Sequence, residues 1–288
     1  MTLTTRPICA IIVFAATGAA AQSPEYLSYG LAYADLSNNT NTIEVLSGTA
    51  GIEYRSGAFV GNGTFEMISV NEGNTSSTLT SVAATAGFFV NDAIVVYGGL
   101  NYSDTDPGNE TLFTLGAEYM TGLATLGFAL GDSNDLRNPV YSFYASYAAT
   151  DALEFGLFLN DLDNDPITSF ALNYDDRAID VIAYLENDDG LRTLIVDGRY
   201  DLGNRFRVSG SYANLNGDVD LLSFGGGYQV VNDIWFDASY GRLDGDGVTG
   251  TVDVISLGFT FETGRETLLV DRATTLQARA LGSVVGIN

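Results

Sequence analysis

Residues 153–160 read Leu-Glu-Phe-Gly-Leu-Phe-Leu-Asn, and this stretch decides the fold class. Its odd-numbered positions are all apolar, whereas Glu154 and Asn160 occupy even-numbered positions. Successive side chains of a β-strand point to opposite faces, so this alternation is typical of a strand with one apolar and one polar face. Because the polar face carries charge, we expect it to meet water.

The same two-residue alternation recurs along the whole chain. In a later segment, Phe206 and Val208 alternate with Arg207 and Ser209. With Gly, Asn and Asp turn signals between the segments, the pattern predicts an all-β fold of about sixteen antiparallel strands. Their predicted limits are 26–35, 42–54, 58–70, 77–90, 93–103, 110–120, 123–131, 140–148, 152–160, 167–175, 178–187, 191–201, 205–214, 220–230, 233–242 and 251–262.

Eight aromatic residues close successive hairpins of this pattern, at intervals of 26 to 34 residues. Such an interval is about the length of two membrane-spanning strands with their connections. Every second strand of a barrel ends at the same membrane interface, where an amphipathic ring is well placed. The spacing therefore predicts one aromatic girdle around a transmembrane barrel. Its members are Tyr54, Phe88, Tyr119, Tyr147, Tyr174, Tyr200, Tyr228 and Phe261.

The predicted connections alternate in character along the chain. One set consists of tight turns such as Asn91-Asp92 and Asp175-Asp176. The other set is richer in Asn, Asp and Gly and longer, as at 103–110 and 131–139. Short periplasmic turns facing modest extracellular loops are typical of outer-membrane barrels.

A soluble sandwich or small barrel would show the same alternation with its apolar face inward, so periodicity alone does not decide between the two. The N-terminal segment favours export: Arg6 precedes the apolar stretch 8–16, and three alanines precede Gln22. Sixteen strands also enclose a space too wide for side chains to fill. We therefore expect a signal peptide at 1–21, a transmembrane barrel at 22–262 and a C-terminal extension at 263–288.

Composition excludes several function classes. The formal net charge is −24, which argues against a nucleic-acid partner. The chain has no histidine and no lysine, and its single cysteine, Cys9, lies within the expected signal peptide. Without a histidine base or a thiol nucleophile, a site built from carboxylates alone is the remaining alternative. Nothing in the sequence points to such a site, and we predict that the protein is not an enzyme.

The strand and turn pattern over residues 26–262 resembles the general diffusion porins of Gram-negative outer membranes. The resemblance also rests on the turn Tyr-Asp-Leu-Gly-Asn-Arg at 200–205 and on the closing strand 252–261, which ends Gly-Phe-Thr-Phe. It implies a sixteen-stranded barrel in the cell outer membrane, often a homotrimer, surrounded by lipid and lipopolysaccharide. Its implied activity is passive diffusion of small hydrophilic solutes and ions.

Two features depart from that family. Its members usually fold a long third loop into the pore, whereas the connection at 103–110 is too short to cross a lumen. They also usually end on the terminal aromatic strand, whereas this chain continues past Glu262. A non-conducting structural or adhesion-type barrel is the alternative function, and short loops weaken the adhesion reading.

Ten charged residues share the polar parity and are candidates for the pore lining. Eight carboxylates against two arginines would attract cations and repel anions. The alternative is that they are solvated wall residues without a role in selectivity. The candidates are Glu53, Glu66, Glu118, Glu154, Asp180, Glu186, Asp197, Arg199, Arg207 and Asp237.

Acidic loop clusters raise the question of calcium, which prefers oxygen ligands. No cluster has the full twelve-residue ligand pattern, so a solvated acidic loop is the more economical interpretation. We therefore predict no cofactor, and bound calcium is the alternative. The calcium candidates are Asp161, Asp163, Asp165, Asp244 and Asp246.

The C-terminal extension shows a different period. Leu269, Ala273, Leu276, Ala280 and Val284 recur at helical spacing, with arginines between them. Two interpretations stay open: a frayed periplasmic extension, or a short amphipathic helix that docks under or inside the barrel.

Overall fold

The chain forms one closed antiparallel barrel of sixteen strands, as the computed structural model shows, and this confirms the predicted fold class. Each strand pairs with its neighbours in sequence, and β1 pairs with β16 to close the barrel. The structure describes residues 26–37, 42–73, 75–105, 108–133, 139–162, 165–176, 178–188, 190–245 and 251–264. The strands are β1 Tyr26–Ser37, β2 Thr42–Ser56, β3 Phe59–Glu72, β4 Thr75–Asn91, β5 Ile94–Thr105, β6 Gly108–Met120, β7 Ala124–Ser133, β8 Val140–Ala148, β9 Leu153–Leu162, β10 Asp165–Asp175, β11 Ile179–Asp188, β12 Leu191–Gly203, β13 Phe206–Leu215, β14 Val219–Val231, β15 Ile234–Gly245 and β16 Val252–Gly264.

The predicted domain limits meet the described residues only in part. The expected signal peptide lies outside them, as does the C-terminal extension beyond Gly264, while Thr263 and Gly264 belong to β16. Within the described ranges, no helix has the length and apolarity that crossing a bilayer would require.

The strands extend further than the sequence indicated at the end where loops were expected. β5 and β6 stay paired as far as Thr105 and Gly108, so most of the polar segment 103–110 is ladder. β9 and β10 likewise pair as far as Leu162 and Asp165. Polar residues mark loops in soluble sheets, but a barrel rim that projects into water accepts them within strands. The short third connection expected from the sequence is thus shorter still.

At the opposite rim, side-chain acceptors fix the turns. Thr150 Oγ1 accepts hydrogen bonds from the backbone N–H groups of Ala152 and Leu153, at 3.2 and 3.0 Å. Asp176 Oδ1 accepts from Ala178 and Ile179, at 3.2 and 2.9 Å. Such Asx and ST turns bond the backbone locally and end the ladder, which explains why these residues follow the even-numbered strands.

The predicted girdle lies at one end of the barrel, here called the girdle end. All eight aromatic residues lie near the C-terminal ends of even-numbered strands, which run in the same direction, so their shared position is confirmed. Tyr54, Phe88, Tyr119, Tyr147, Tyr200 and Tyr228 are exposed on the outside of the barrel. The structure adds partners at the starts of odd-numbered strands: Phe59 packs edge-on against Phe88 at 5.1 Å, and Phe206 lies 5.2 Å from Tyr228.

The strand register shows why this ring is level. Tyr147 is paired with Phe155, which is paired with Leu172, two residues short of the next girdle residue, Tyr174. Seven of the eight steps around the barrel gain two residues, and the step from β16 to β2 gains four, so the total shear is 18. Sixteen strands with this shear tilt by about 40°. The two-residue offset per hairpin compensates that tilt and keeps the aromatic rings at one height.

Candidate functional site: the inner wall

The register defines the inner face of the barrel. Buried Phe158 and Tyr184 alternate with exposed Leu157, Leu159 and Leu185, so the parity of the first two points inward. Carried from strand to strand, this parity includes all ten charged residues predicted for the pore lining. Their role in a pore stays a prediction.

Most of these charges gather at one height. Along a strand tilted by about 40°, each residue rises about 2.5 Å along the barrel axis. Glu66 and Glu186 lie about six residues, or about 15 Å, above the level of the girdle. The other eight lie within about three residues of it, and we call them the charged ring. The ring consists of Glu53, Glu118, Glu154, Asp180, Asp197, Arg199, Arg207 and Asp237.

Arg207 and Asp237 form the best-defined contact in the ring. Arg207 Nε donates to Asp237 Oδ1 at 2.8 Å, and its Nη2 bonds Asp237 Oδ2. Nη2 also donates to Thr260 Oγ1 at 3.2 Å, while the guanidinium stacks on Trp235 at 4.3 Å from the ring centroid. The two side chains are only 13% and 23% exposed. A fork-shaped bond and a stacked ring together fix the cation in place.

The second arginine of the ring is held more loosely. Arg199 Nε lies 3.8 Å from Asp197 Oδ1, beyond hydrogen-bonding distance. Asp197 Oδ2 is buried and has no hydrogen-bond partner within the described part of the chain. Arg207 takes no part in this pair, because it bonds Asp237, two strands away.

Glu118 lies in a sector of the ring built from tyrosines and glycines. It is 4% exposed, and its strand partner Gly127 is in turn paired with Tyr144. The Tyr144 ring lies across Gly127, where an added Cβ would come 1.9 Å from its Cζ. Tyr144 also stacks with Phe158 at a centroid distance of 6.3 Å. The glycine is thus required here because a tyrosine lies flat against its backbone.

Glu186, higher on the wall, is held by two hydroxyl groups. Tyr184 Oη and Ser169 Oγ both donate to Glu186 Oε2, the serine at 3.1 Å, and the two hydroxyl oxygens lie 2.9 Å apart. This carboxylate therefore has fixed partners rather than a free position above the ring.

Above the ring, part of the inner wall is apolar. Twelve inward residues of β12–β16 and β1–β3 form two packed clusters that meet at Leu36, and we call them the apolar belt. Their partly or fully buried members include Ala34 at 0%, Val45 at 1% and Val254 at 2% exposure. The belt consists of Ala32, Ala34, Leu36, Ile43, Val45, Ile68, Val70, Ile195, Ala213, Leu221, Leu243 and Val254.

The belt corrects the expectation that the whole inner face meets water. The sequence analysis equated the inner parity with polarity, and in this sector that is wrong. The signal was present in the sequence: Val45, Val70 and Val254 share the parity of charged residues on the same or neighbouring strands. Alternation between two apolar faces weakens the period-two pattern, so these positions are harder to assign.

A second set of tyrosines lies on the outer face, toward the end opposite the girdle. The hydroxyl of Tyr212 donates to Asp220 Oδ1 at 2.6 Å, and the hydroxyl of Tyr240 donates to Asp253 Oδ1 at 2.6 Å. Tyr33 donates to Glu44 at 3.3 Å. Tyrosine hydroxyls bonded to exposed carboxylates suit a second membrane interface. The sequence analysis found only the first girdle, because these tyrosines do not recur at a regular interval.

The calcium candidates gain no geometric support. Among the described residues, no three His, Cys, Asp or Glu side chains are placed to hold a metal ion. Asp244 Oδ1 accepts the N–H of Gly245 at 2.9 Å. Asp163 and Asp246 lie outside the described residues, as do the side chains of Asp161 and Asp165.

Comparison with solved structures shows the class of fold. A mutant porin of Rh. blastica matches with a TM-score of 0.51 at 12% identity, covering 83% of this chain and 99% of that one. OccK3 (OpdO) of Pseudomonas aeruginosa matches at 0.51 and 10% identity, covering 83% and 94%. OpdQ of the same species matches at 0.51 and 8% identity, covering 83% and 98%. No family model and no curated protein sequence matches this chain.

These similarities establish that the chain has the sixteen-stranded barrel fold of the outer-membrane porins. At such low identities they concern the fold alone. The function must be argued from the inner wall.

Proposed function

We propose that this protein is an outer-membrane porin that passes small hydrophilic solutes and ions by passive diffusion and prefers cations. The observation that carries the proposal is the charged ring, which gathers six carboxylates and two arginines at one height of the inner wall. In a tube with low-dielectric walls, such a ring concentrates counter-ions and repels co-ions. Export to the outer membrane, lipid and lipopolysaccharide as surroundings, and the absence of catalysis belong to the same proposal.

The pairing within the ring supports the sign of the selectivity. Arg207 is neutralised by Asp237 at hydrogen-bonding distance. Glu154 and Asp180 are half-buried on the inner face, in strands β9 and β11. With one arginine paired, the remaining charge of the ring is strongly negative, and cations are the favoured ions.

The test is the reversal potential of the refolded protein in a planar bilayer under a salt gradient. Replacing Glu154→Gln, Asp180→Asn and Asp197→Asn together should lower the cation-over-anion permeability ratio by about fivefold at 0.01 M salt. At 1 M salt the Debye length is only about 3 Å, so the difference should nearly vanish.

A matched control removes three carboxylates from the turns just below the ring: Asp92→Asn, Asp151→Asn and Asp233→Asn. These residues are exposed to bulk water outside the narrow part of the lumen, so this variant should change the ratio much less than the ring variant does. Anion preference in the wild type, or an equal change in the control, would contradict the role of the ring. A silent bilayer with correctly folded protein would favour the non-conducting structural barrel.

A further inference from the structure

The side chains of the apolar belt are buried on the inner face of the barrel wall. Ala34, Val45 and Val254 are at most 2% exposed on the lumen side of the wall. The extensive backbone contacts of each strand are with its two neighbours in the barrel. A wide, water-filled lumen would leave twelve apolar side chains facing water, which is unfavourable. The belt therefore requires an apolar occupant.

We propose that residues 265–288 of this chain enter the lumen from the girdle end and lay an apolar face against the belt. The proposal deepens the proposed function, on which it rests, because an occupant of the lumen would control conduction through it.

The origin of this segment places it at the lumen entrance. β16 ends at Gly264, which is paired with Tyr26, and Tyr26 is paired with the inward residue Glu53 of the ring. The segment that begins at residue 265 therefore leaves the barrel wall at the girdle end. The residue before it, Gly264, has the parity of the inner face. The segment also starts in the sector of the wall that carries the belt, since β16 contributes Val254 and its neighbour β1 contributes Ala34 and Leu36.

The length of the segment fits the height of the belt. In β16, Val254 lies ten residues before Gly264, which corresponds to about 25 Å along the barrel axis. A helix rises about 1.5 Å per residue, so residues 276–284 would lie about 18–30 Å above Gly264. Leu276, Ala280 and Val284 would then reach the height of the belt, and Leu269 would lie near the ring.

The charge of the segment complements the wall. Arg265, Arg272 and Arg279 recur every seven residues, which places them along one side of a helix, next to the apolar stripe. Three of the twelve arginines of the chain thus fall in this short segment, and they would rise past a ring rich in carboxylates. Attachment through Gly264 adds an effective concentration of about millimolar, which a free solute or a second copy would lack.

The decisive experiment uses cysteine pairs in the full-length protein, in its own membrane. The only native cysteine, Cys9, precedes the barrel in the expected signal peptide, so introduced thiols report without background. Ala280→Cys, which the helical rise places at about the height of Val254, is combined with Val254→Cys on the belt. The matched control combines Ala280→Cys with Ile255→Cys, the adjacent residue on the outer face, which is 52% exposed.

Mild oxidation should join the first pair and leave the control pair free, because a disulfide needs Cα atoms within about 7 Å. The readout is the mobility of the unfolded, non-reduced chain on a gel. Failure of the first pair, together with rapid modification of Ala280→Cys by a bulky water-soluble maleimide, would overturn the proposal. Cross-linking between two chains instead of within one would also overturn it, in favour of a second copy as the occupant.

Conduction provides the second readout. Replacing Leu269→Ser, Leu276→Ser and Val284→Ser should raise single-channel conductance about twofold, because a helix is about 10–12 Å across and fills much of the lumen. Thr267→Ser, Thr274→Ser and Thr275→Ser keep the stripe and should leave conductance unchanged. Unchanged conductance in the first variant would contradict a plug. A silent wild type that still forms the disulfide would contradict the channel function and keep the docking.

Discussion

The charged ring and the apolar belt occupy the same inner wall and differ in nearly every physical property. The ring is held by hydrogen bonds and ion pairs, such as Arg207 with Asp237, and its side chains are mostly half-buried. The belt is held by apolar packing, and Val45 is 1% exposed. The difference shows that the parity of a residue decides whether its side chain faces the lumen. The height of the residue along the strand decides whether that part of the inner wall is polar or apolar.

The largest expected effect comes from placing a charge in the belt. Val45 is paired with Val70, which is paired with Ser77, so the three side chains form one inward row. Val45→Asp should lower the free energy of unfolding by about 3–5 kcal/mol, because an unpaired carboxylate would be buried. Ser77→Asp should cost little, because Ser77 is exposed.

Urea unfolding in detergent micelles, followed by circular dichroism of the sheet, measures both variants. Equal stability of the two would show that the belt is as wet as the rest of the wall, and the contrast between ring and belt would then be lost.

A smaller effect is expected from breaking the ion pair of the ring. Arg207→Gln should lower the free energy of unfolding by about 3 kcal/mol, since it leaves Asp237 only partly solvated and without its cation. Arg242→Gln is the matched control, because Arg242 lies 3.7 Å from Asp253 in a pair with 63% and 51% exposed side chains. It should cost at most about 0.5 kcal/mol. The same unfolding assay measures both variants. Similar losses of unfolding free energy in the two would show that the Arg207–Asp237 pair is as solvated as a surface ion pair.

The tyrosine and glycine sector of the ring should respond to a single methyl group. Gly127→Ala should cost about 2 kcal/mol, because the new Cβ would overlap the Tyr144 ring, and a packed wall tolerates overpacking poorly. Gly48→Ala faces open space and should be nearly neutral. Adding Tyr144→Ala to Gly127→Ala should recover part of the loss, and a double-mutant cycle measures the coupling. Simple additivity would mean that the ring does not rest on the glycine.

The smallest effect concerns a turn below the ring. Hydrogen bonds from the N–H of Ile179 and from the hydroxyl of Tyr174 lower the pKa of Asp176 below its usual value. A carboxyl with a lowered pKa in the folded state stabilises at neutral pH, and this contribution is lost as the pH falls below about 4. In the Asp176→Asn variant, the free energy of unfolding should therefore fall slightly less steeply as the pH is lowered, and the stability of the belt should be unchanged. An identical pH profile in the variant would exclude the turn as a contributor.

The fold was accessible from the sequence because the strand pattern repeats sixteen times and the girdle residue recurs in each of the eight hairpins. The strand limits agree within about three residues, and the differences arise where polar residues such as Asp104 and Asn109 continue the ladder at the rim. Parity also assigned all ten charged residues to the inner face. Both results follow from the period of two, which is a local property of the backbone.

The rest was not accessible, because it depends on which strands become neighbours. The pairing of Arg207 with Asp237 joins residues thirty positions apart, and the clustering of Val254 with Ile195 needs four intervening strand contacts. The height of a residue depends on the shear of the closed barrel, which no single strand encodes. For this reason, alternation in the sequence assigned the residues of the ring and of the belt to a single polar face.

The two-residue offset of the girdle has a consequence for how such a barrel can change in size. Each hairpin adds two strands and, at seven of the eight steps, two units of shear, so the ratio that sets the tilt hardly changes when a hairpin is gained or lost. Removing β7 and β8 as a unit would narrow the circumference and still leave the remaining aromatic rings level. The hairpin is thus a module of this wall. Duplication or deletion of whole hairpins is a route by which barrels of different diameter can arise while the strand tilt and the level of the aromatic girdle stay the same.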